Sequence, residues 1–430
     1  MTDWPILRLG DHVDSCLGKM LDAQKNRGSF QPYLGNSNVR WGVFDFNDLA
    51  SMRFEQHEEE RYSLQNGDLV ICEGGEPGRC AIWRDPIPGM KIQKALHRVR
   101  VKNRLNGEYL YYWFLHAGRT GALEPYFTGT TIKHLTGRAL AELKIPCPPP
   151  QVQYSIGEIL KSLDHKIELN RRMNETLEAM AQAIFRDWFV DFGPVRRKLE
   201  GASDPVAIMG GLMPDPARAA ELAGLFPGEF GEDELPVGWS ASTVGDTFNL
   251  TMGQSPPGET YNDTGDGLPF FQGRTDFGFR FPERRKFCSQ PTRIANPDDT
   301  LISVRAPVGD LNMAWEECCI GRGVAAARHQ AGGKTYTYYA MRHLQPELEQ
   351  FESEGTVFGA INKKQFEQLP IVDPDARLVH AFEAVAGALD DRLRIAVTEN
   401  RTLAETRDYL LPRLMSGEVR VGDVQPEVAA

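Results

Sequence analysis

Few residues in this 430-residue chain have the types and spacing that are typical of enzyme active sites. Residues 321–326 fit a relaxed G-x-G-x-x-A nucleotide-binding pattern, but their counterpart in the internal repeat described below, residues 92–97, contains no glycine. Residues 142–144 have the E-x-K form of nuclease metal sites without a preceding Pro-Asp, and residues 255–258 (Ser-Pro-Pro-Gly) are most simply a turn. The sequence therefore predicts no catalytic residue, cofactor or metal in this chain.

Basic residues near glycine, threonine or other basic residues are stronger candidates for a binding role. Arginine and lysine neutralise phosphates and read guanine edges, and threonine hydroxyls near backbone N–H groups bind phosphate. Each residue taken alone is more simply a solvated charge, so the hypothesis concerns the group. The candidates for nucleic-acid contact are Arg79, Arg98, Arg100, Thr130, Thr131, Lys133, Arg274, Arg280, Arg284, Arg285, Lys286, Arg305, Arg322, Lys363 and Lys364.

A cluster of aromatic residues, Tyr109, Tyr111, Tyr112 and Trp113, could also stack on bases. Its spacing is helical, however, and its tyrosines recur at 336–339. Aromatic residues repeated at helical spacing favour a buried core face.

The cluster belongs to an internal repeat that runs through the chain. Trp4, followed by Leu-Gly-Asp at 9–11, recurs as Trp239, followed by Val-Gly-Asp at 244–246. The repeat is clearest towards its end, where Asn174 falls on Asn400. Two copies of one unit suit a target that also comes in two parts.

The order of the segments follows from glycine, proline and apolar patterning. Short β-branched runs separated by glycine turns predict an α/β or α+β globule, and consecutive prolines at 148–150 end the first one. The predicted divisions are a globule at 1–150, a long helix at 151–190, an irregular acidic connector at 191–237, a second globule at 238–373, a second long helix at 374–417 and a tail at 418–430.

Apolar residues in both helices step by three and four positions. We expect the two helices to pair as an antiparallel coiled coil, because a globule lies between them in sequence and each apolar stripe needs a partner. The alternative is two separate helices, each packed on its own globule. The predicted seam consists of Leu160, Leu163, Ile167, Asn174, Leu177, Ile184, Leu389, Leu393, Asn400, Leu403, Leu410 and Leu414.

Composition and charge further limit the class of protein to which the chain could belong. The formal charge of −11 argues against a simple nucleic-acid-binding protein, although the acidic residues are concentrated in a few segments. Seven cysteines without C-x-x-C spacing predict reduced, buried thiols. No segment is typical of a membrane helix or a signal peptide, so we expect a cytoplasmic protein.

Several runs together resemble the specificity subunit of type I restriction-modification systems. They are residues 177–192 in the first long helix, 410–418 at the end of the second, 67–79 in the first globule, and 270–278 with 303–309 in the second. The resemblance covers nearly the whole chain.

This resemblance implies two target recognition domains of similar fold, each reading one half of a split double-stranded DNA sequence. Two long antiparallel coiled-coil helices would separate these domains as spacers and dock methyltransferase subunits, and restriction subunits would join the complex. The family's S-adenosylmethionine, ATP and Mg²⁺ chemistry belongs to those partner subunits. Two alternatives remain open: the recognition subunit of a related methylation-based defence or multi-subunit type II system, and a coiled-coil adaptor that binds no DNA.

Overall fold

The computed structural model describes residues 4–22, 26–102, 104–353 and 359–424. The chain divides into two compact units. Unit 1 contains the residues through Asn170 together with those from Thr398 onward, and unit 2 contains Arg171–Val397. The end of the predicted tail, residues 425–430, lies outside the described residues.

Unit 1 contains a four-stranded antiparallel sheet in the order β2-β8-β5-β6. Beside it, β3 pairs with β4 antiparallel and with β7 parallel, and β1 pairs with β9 antiparallel, Leu7 lying opposite Ile145. The strands are β1 (Ile6–Arg8), β2 (Val13–Leu17), β3 (Ser29–Leu34), β4 (Ala50–Phe54), β5 (Leu69–Cys72), β6 (Cys80–Ile82), β7 (Lys91–Ile92), β8 (Leu96–Val101) and β9 (Lys144–Pro146).

Unit 2 repeats this arrangement. Its four-stranded antiparallel sheet has the order β11-β19-β16-β17, β13 and β18 form the parallel pair, and β10 pairs with β20 antiparallel. The strands are β10 (Ser240–Thr243), β11 (Phe248–Met252), β12 (Tyr261–Asn262), β13 (Leu268–Phe271), β14 (Phe287–Cys288), β15 (Ile294–Ala295), β16 (Thr300–Ser303), β17 (Leu311–Met313), β18 (Cys318–Ile320), β19 (Val324–His329) and β20 (Pro370–Asp373). The mixed α and β fold predicted from the sequence is confirmed.

Two helices of 40 and 41 residues, α4 and α12, run through both units. The first begins at Pro150, because a proline in the first turn removes only an N–H that has no helical partner. The helices are α1 (Glu59–Tyr62), α2 (Gly107–Thr120), α3 (Gly137–Ala141), α4 (Pro150–Phe189), α5 (Gly193–Leu199), α6 (Pro205–Ile208), α7 (Pro216–Leu225), α8 (Val244–Thr247), α9 (Lys334–His343), α10 (Gln345–Ser353), α11 (Lys363–Glu367), α12 (Ala376–Ser416) and α13 (Val421–Val424).

Within each unit, α4 and α12 contact each other with opposite chain directions. In unit 1, Arg407 bonds Asp164 at 2.7 Å and Asn170 bonds Asn400 at 3.0 Å. In unit 2, the Phe185 and Phe382 ring centroids lie 5.7 Å apart. The predicted seam residues are all buried or half-buried, but Leu160, Leu410 and Leu414 pack with the core of the unit 1 globule.

Each globule buries its aromatic helix against the long helices. Tyr109 and Tyr112 of α2 share a core with Leu160 of α4 and Leu414 of α12. In unit 2, Tyr336 and Tyr339 of α9 take the corresponding place in a core that includes Phe185, Trp188 and Phe382. The aromatic cluster is therefore structural, as its helical spacing predicts.

The segment 191–237 is more regular than the sequence predicts. It contains α5, α6 and α7, which pack Val195, Ile208 and Leu222 into the core of unit 2. Arg197 pairs with Asp187 through two bonds of 2.9 and 2.7 Å. The glycines and prolines of this segment lie at the ends of short helices, and Asp204 and Asp215 cap two of these helices.

Candidate nucleic-acid interface

Four strands of unit 2 end at the same edge of the globule. The residues that follow them are joined by backbone hydrogen bonds: Gly321 N donates to Phe271 O, Gly323 N to Gln272 O and Val304 N to Gly323 O, over 2.9 to 3.1 Å. We call residues 253–255, 272–278, 304–310 and 321–323 the unit 2 rim. Backbones approach closely here, since a Cβ on Gly253 would lie 2.2 Å from Gly321 O.

The corresponding edge of unit 1 is built the same way. Lys19 N donates to Ile92 O over 3.0 Å and Glu73 N donates to Ala95 O over 2.8 Å. A Cβ on Gly18 would lie 2.3 Å from Gln93 O, matching Gly253 in unit 2. We call residues 18–19, 35–40, 73–79, 93–95 and 128–135 the unit 1 rim.

Three predicted arginines lie on the unit 2 rim, all exposed: Arg274, Arg305 and Arg322. Arg274 pairs with Asp310, whereas neither Arg305 nor Arg322 forms an ion pair with any residue that the structure describes. Beside the rim, Lys363 and Lys364 begin α11 in exposed positions, and Lys363 pairs with Glu367 at 3.4 Å. Unbalanced positive charge on an exposed loop edge is suited to phosphate contact.

The unit 1 rim carries a second group of predicted residues. Thr130, Thr131 and Lys133 are exposed in a hairpin closed by mutual backbone bonds of 2.8 Å between Thr128 and His134. Arg79 is largely covered, because its guanidinium donates to Asn36 O over 3.0 Å and to Glu76 over 3.2 Å. Sequence reasoning missed Arg40, which is exposed on this rim, because a single arginine in a loop carries no sequence signal.

Three predicted contact residues have structural roles instead. Arg98 is buried and bonds Asp14 at 2.8 Å, and Arg280 is buried and bonds Asp390. Arg100 makes two bonds, of 2.7 and 2.8 Å, to the buried carboxylate of Asp68. Buried charges require partners, so Arg98 and Arg280 hold the fold together and are not available to DNA. Arg100 is half-buried, and its guanidinium is occupied by the Asp68 carboxylate.

Three further predicted residues, Arg284, Arg285 and Lys286, are exposed but lie outside the rim. Each is paired locally, with Glu316, Glu283 and Asp263 respectively. Their positive charge is balanced by these carboxylates, so they form no free basic patch.

Other potentially reactive side chains in the described residues are mostly buried or already paired. Burial raises the pKa of the Cys318 thiol, and six of the seven free cysteines are buried. Glu55, His57 and Glu58 could approach one cation, but the Glu58 carboxylate already accepts from Lys19 and from the Glu55 N–H. Among the described residues, no helix is both long and apolar enough to cross a membrane.

Several known proteins with similar sequences are described as type I restriction enzyme specificity subunits. A family model for the type I restriction modification DNA specificity domain matches residues 1–179. The putative type I restriction enzyme MjaX specificity subunit of Methanocaldococcus jannaschii is 26% identical over 97% of this chain and 94% of that protein. The type I restriction enzyme HindI specificity subunit of Haemophilus influenzae is 26% identical over 67% of this chain and 72% of that protein.

A solved structure has the same fold. The crystal structure of the type I restriction-modification system S subunit from M. genitalium aligns with a TM-score of 0.59 at 16% identity, covering 96% of each chain. The sequence relatives extend over nearly all of this chain, which is therefore similar along its length to the specificity subunits of type I restriction-modification systems.

Proposed function

We propose that this chain reads a two-part DNA target for a type I restriction-modification complex, each globule contacting one half through its rim. The observation that carries the proposal is the duplication of the rim. Both globules have the same sheet order and the same close-packed strand ends, and both rims present exposed basic residues. Phosphate contacts by arginine and lysine position a protein on DNA, and side chains between them read bases.

The catalytic steps are proposed to lie outside this chain. Methyl transfer would use S-adenosylmethionine bound by methyltransferase subunits, and restriction subunits would use ATP and Mg²⁺. Shared contact with DNA also accounts for the acidic charge of −11, since the partners would supply part of the phosphate neutralisation.

The long helices α4 and α12 are proposed to act as a coiled-coil spacer and as the docking surface for methyltransferase subunits. Exposed apolar residues on these helices support this role: Leu169 is 54% exposed, Ile395 57% and Tyr409 58%. Contiguous apolar patches on a protein surface mark interaction sites, and a docked methyltransferase subunit would cover these three side chains.

The proposal is tested by methylome sequencing of cells that carry this chain and its cognate methyltransferase subunit. We expect adenine methylation in a two-part sequence. Exchanging residues 4–145 for those of a relative should change one half and leave the other half and the gap unchanged. The matched control, exchange of residues 240–373, should change only the other half.

Two results would contradict the proposal. One is an exchange that alters both halves, which would show that the globules do not read separately. The other is an absence of sequence-specific methylation with the wild-type chain, which would favour a coiled-coil adaptor. Methyl transfer by the purified chain alone would show that catalysis lies in this chain.

A further inference from the structure

An open cavity of about 450 Å³ lies on the unit 2 rim. Arg274 and Asp310 line it, together with Thr275, Phe277, Gly278 and Leu311. Most of its surface is polar, and its walls are the loop that follows β13 and the start of β17. The cavity is therefore a concave, charged site within the surface proposed to contact DNA.

Arg274 and Asp310 form an ion pair in the lining of this cavity. Arg274 Nη1 lies 2.5 Å from Asp310 Oδ2, and the two side chains are 53% and 36% exposed. Arg274 uses one of its five N–H donors in this bond, and Asp310 uses one carboxylate oxygen. Both therefore retain further hydrogen-bonding atoms, and both side chains are partly exposed.

The backbone holds both residues in place. Asp310 N donates to Ser303 Oγ and Ser303 N donates to Asp310 O, each over 2.9 Å. Arg274 begins a short helical turn closed by a 2.9 Å bond from Phe277 N to Arg274 O. The carboxylate in turn fixes the direction of the guanidinium, so the pair is oriented before any ligand binds.

This arrangement matches the major-groove edge of a G·C base pair. Guanine presents two acceptors, N7 and O6, which suit the two-pronged guanidinium, and the neighbouring cytosine presents the N4 amino donor, which suits a carboxylate. Adenine and thymine do not present two adjacent acceptors followed by a donor. Arg305 and Arg322 on the same rim would hold the flanking phosphates.

We infer that Arg274 and Asp310 together read one G·C base pair in the half-site contacted by unit 2. The inference rests on the proposed function and adds to it two specificity-determining residues and the base pair they select.

The chain provides a matched control. Arg284 and Glu316 form another ion pair in the same unit at 2.5 Å, with side chains 51% and 36% exposed. That pair has the same chemistry and exposure as Arg274 and Asp310, but it lies outside the rim. A general effect of removing a surface ion pair would appear equally in both.

The test compares methylomes of cells that carry the complete system with wild-type chain, Arg274→Ala, Asp310→Ala, Arg284→Ala or Glu316→Ala. We expect Arg274→Ala to relax one G·C position in the half-site assigned to unit 2, with discrimination there falling about 5- to 150-fold. Asp310→Ala should relax the same position, and both control variants should keep the wild-type sequence.

The inference is overturned if Arg274→Ala and Asp310→Ala each keep the wild-type sequence. It is also overturned if they lower methylation uniformly across sequences, as loss of a phosphate contact would, or if the relaxed position is A·T. Failure of the proposed function is distinguishable, because the wild-type chain would then yield no two-part sequence. A variant that yields no methylation is examined as purified complex by competition binding to cognate and single-substituted duplexes, where unchanged discrimination contradicts the inference.

Discussion

The side-chain amide of Asn170 donates to the amide oxygen of Asn400 over 3.0 Å, where α4 and α12 face each other in unit 1. Asn170 is buried and also donates to Glu399 over 2.8 Å. Asn400 donates in turn to Ile167 O over 3.3 Å. Polar pairs in a helical seam cost stability relative to leucine but fix the register of the helices.

Asn170→Leu should therefore lower the free energy of unfolding by about 1–2 kcal/mol, because Asn400 loses a buried donor. The double variant Asn170→Leu/Asn400→Leu should recover most of this loss, since both polar partners are then removed. Urea denaturation followed by circular dichroism measures both. Leu169→Ala, at an exposed neighbouring position, is the control, and a loss equal to that of Asn170→Leu would contradict the role of the pair.

Arg280 should be the most sensitive charged residue in unit 2. It is buried, bonds Asp390 of α12, and its guanidinium carbon lies 3.6 Å from the Tyr338 ring centroid. Arg280→Ala leaves a buried carboxylate without a counter-ion, so we expect the free energy of unfolding to fall by about 3–5 kcal/mol. Thermal unfolding of Arg280→Ala and of the exposed control Arg285→Ala tests this, and similar values for both would refute it.

Acid sensitivity of unit 1 should depend on Glu59. The ammonium of buried Lys91 donates to Glu59 over 2.6 Å, and this bond lowers the pKa of the Glu59 carboxyl below its usual 4.5. A depressed pKa means that the stabilisation is fully present above the unfolded-state value near 4.5 and is lost as the pH falls through the folded-state value.

Glu59→Gln should accordingly flatten the loss of stability below about pH 5 and lower stability at pH 7 by about 1 kcal/mol, because the Glu59 side chain is 41% exposed and solvent screens its pairing with Lys91. Unfolding free energies measured from pH 3 to 7 test this. Glu60→Gln is the control, because its side chain is exposed and is in no ion pair among the described residues. A pH profile of Glu59→Gln that parallels the wild type would exclude this source of acid sensitivity.

Arg305 and Arg322 should contribute to DNA affinity without contributing to sequence choice. Replacing either by alanine in the full complex should weaken binding to cognate and scrambled duplexes alike and reduce the slope of log K against log salt by about 0.9. Fluorescence anisotropy at several salt concentrations measures this, with Arg284→Ala as the control. An unchanged slope would show that these residues do not contact phosphate.

The same measurement on the chain alone should give weaker binding and a shallower slope than the full complex, because fewer phosphates are neutralised. Equal slopes for chain and complex would contradict shared contacts.

Much of the architecture could be predicted because it depends on local patterns. Apolar steps of three and four positions predicted α4 and α12 to within a few residues, since a helix repeats every 3.6 residues wherever it packs. The recurrence of Tyr109–Tyr112 at 336–339 predicted two similar cores. The connector was predicted less well, because its glycines and prolines serve as helix caps only in the context of their tertiary packing.

The sequence by itself determined the repeated organisation, the long helices and the resemblance to a known family. Only the tertiary structure shows which arginines are exposed to solvent and which are buried in ion pairs. Arg98, Arg280 and Arg322 look alike in sequence, yet the first two are buried beside carboxylates distant in the chain, and the third is exposed on the rim. The physical reason is that burial and ion pairing depend on contacts between residues far apart in the chain, 110 positions apart for Arg280 and Asp390, and no local pattern records them.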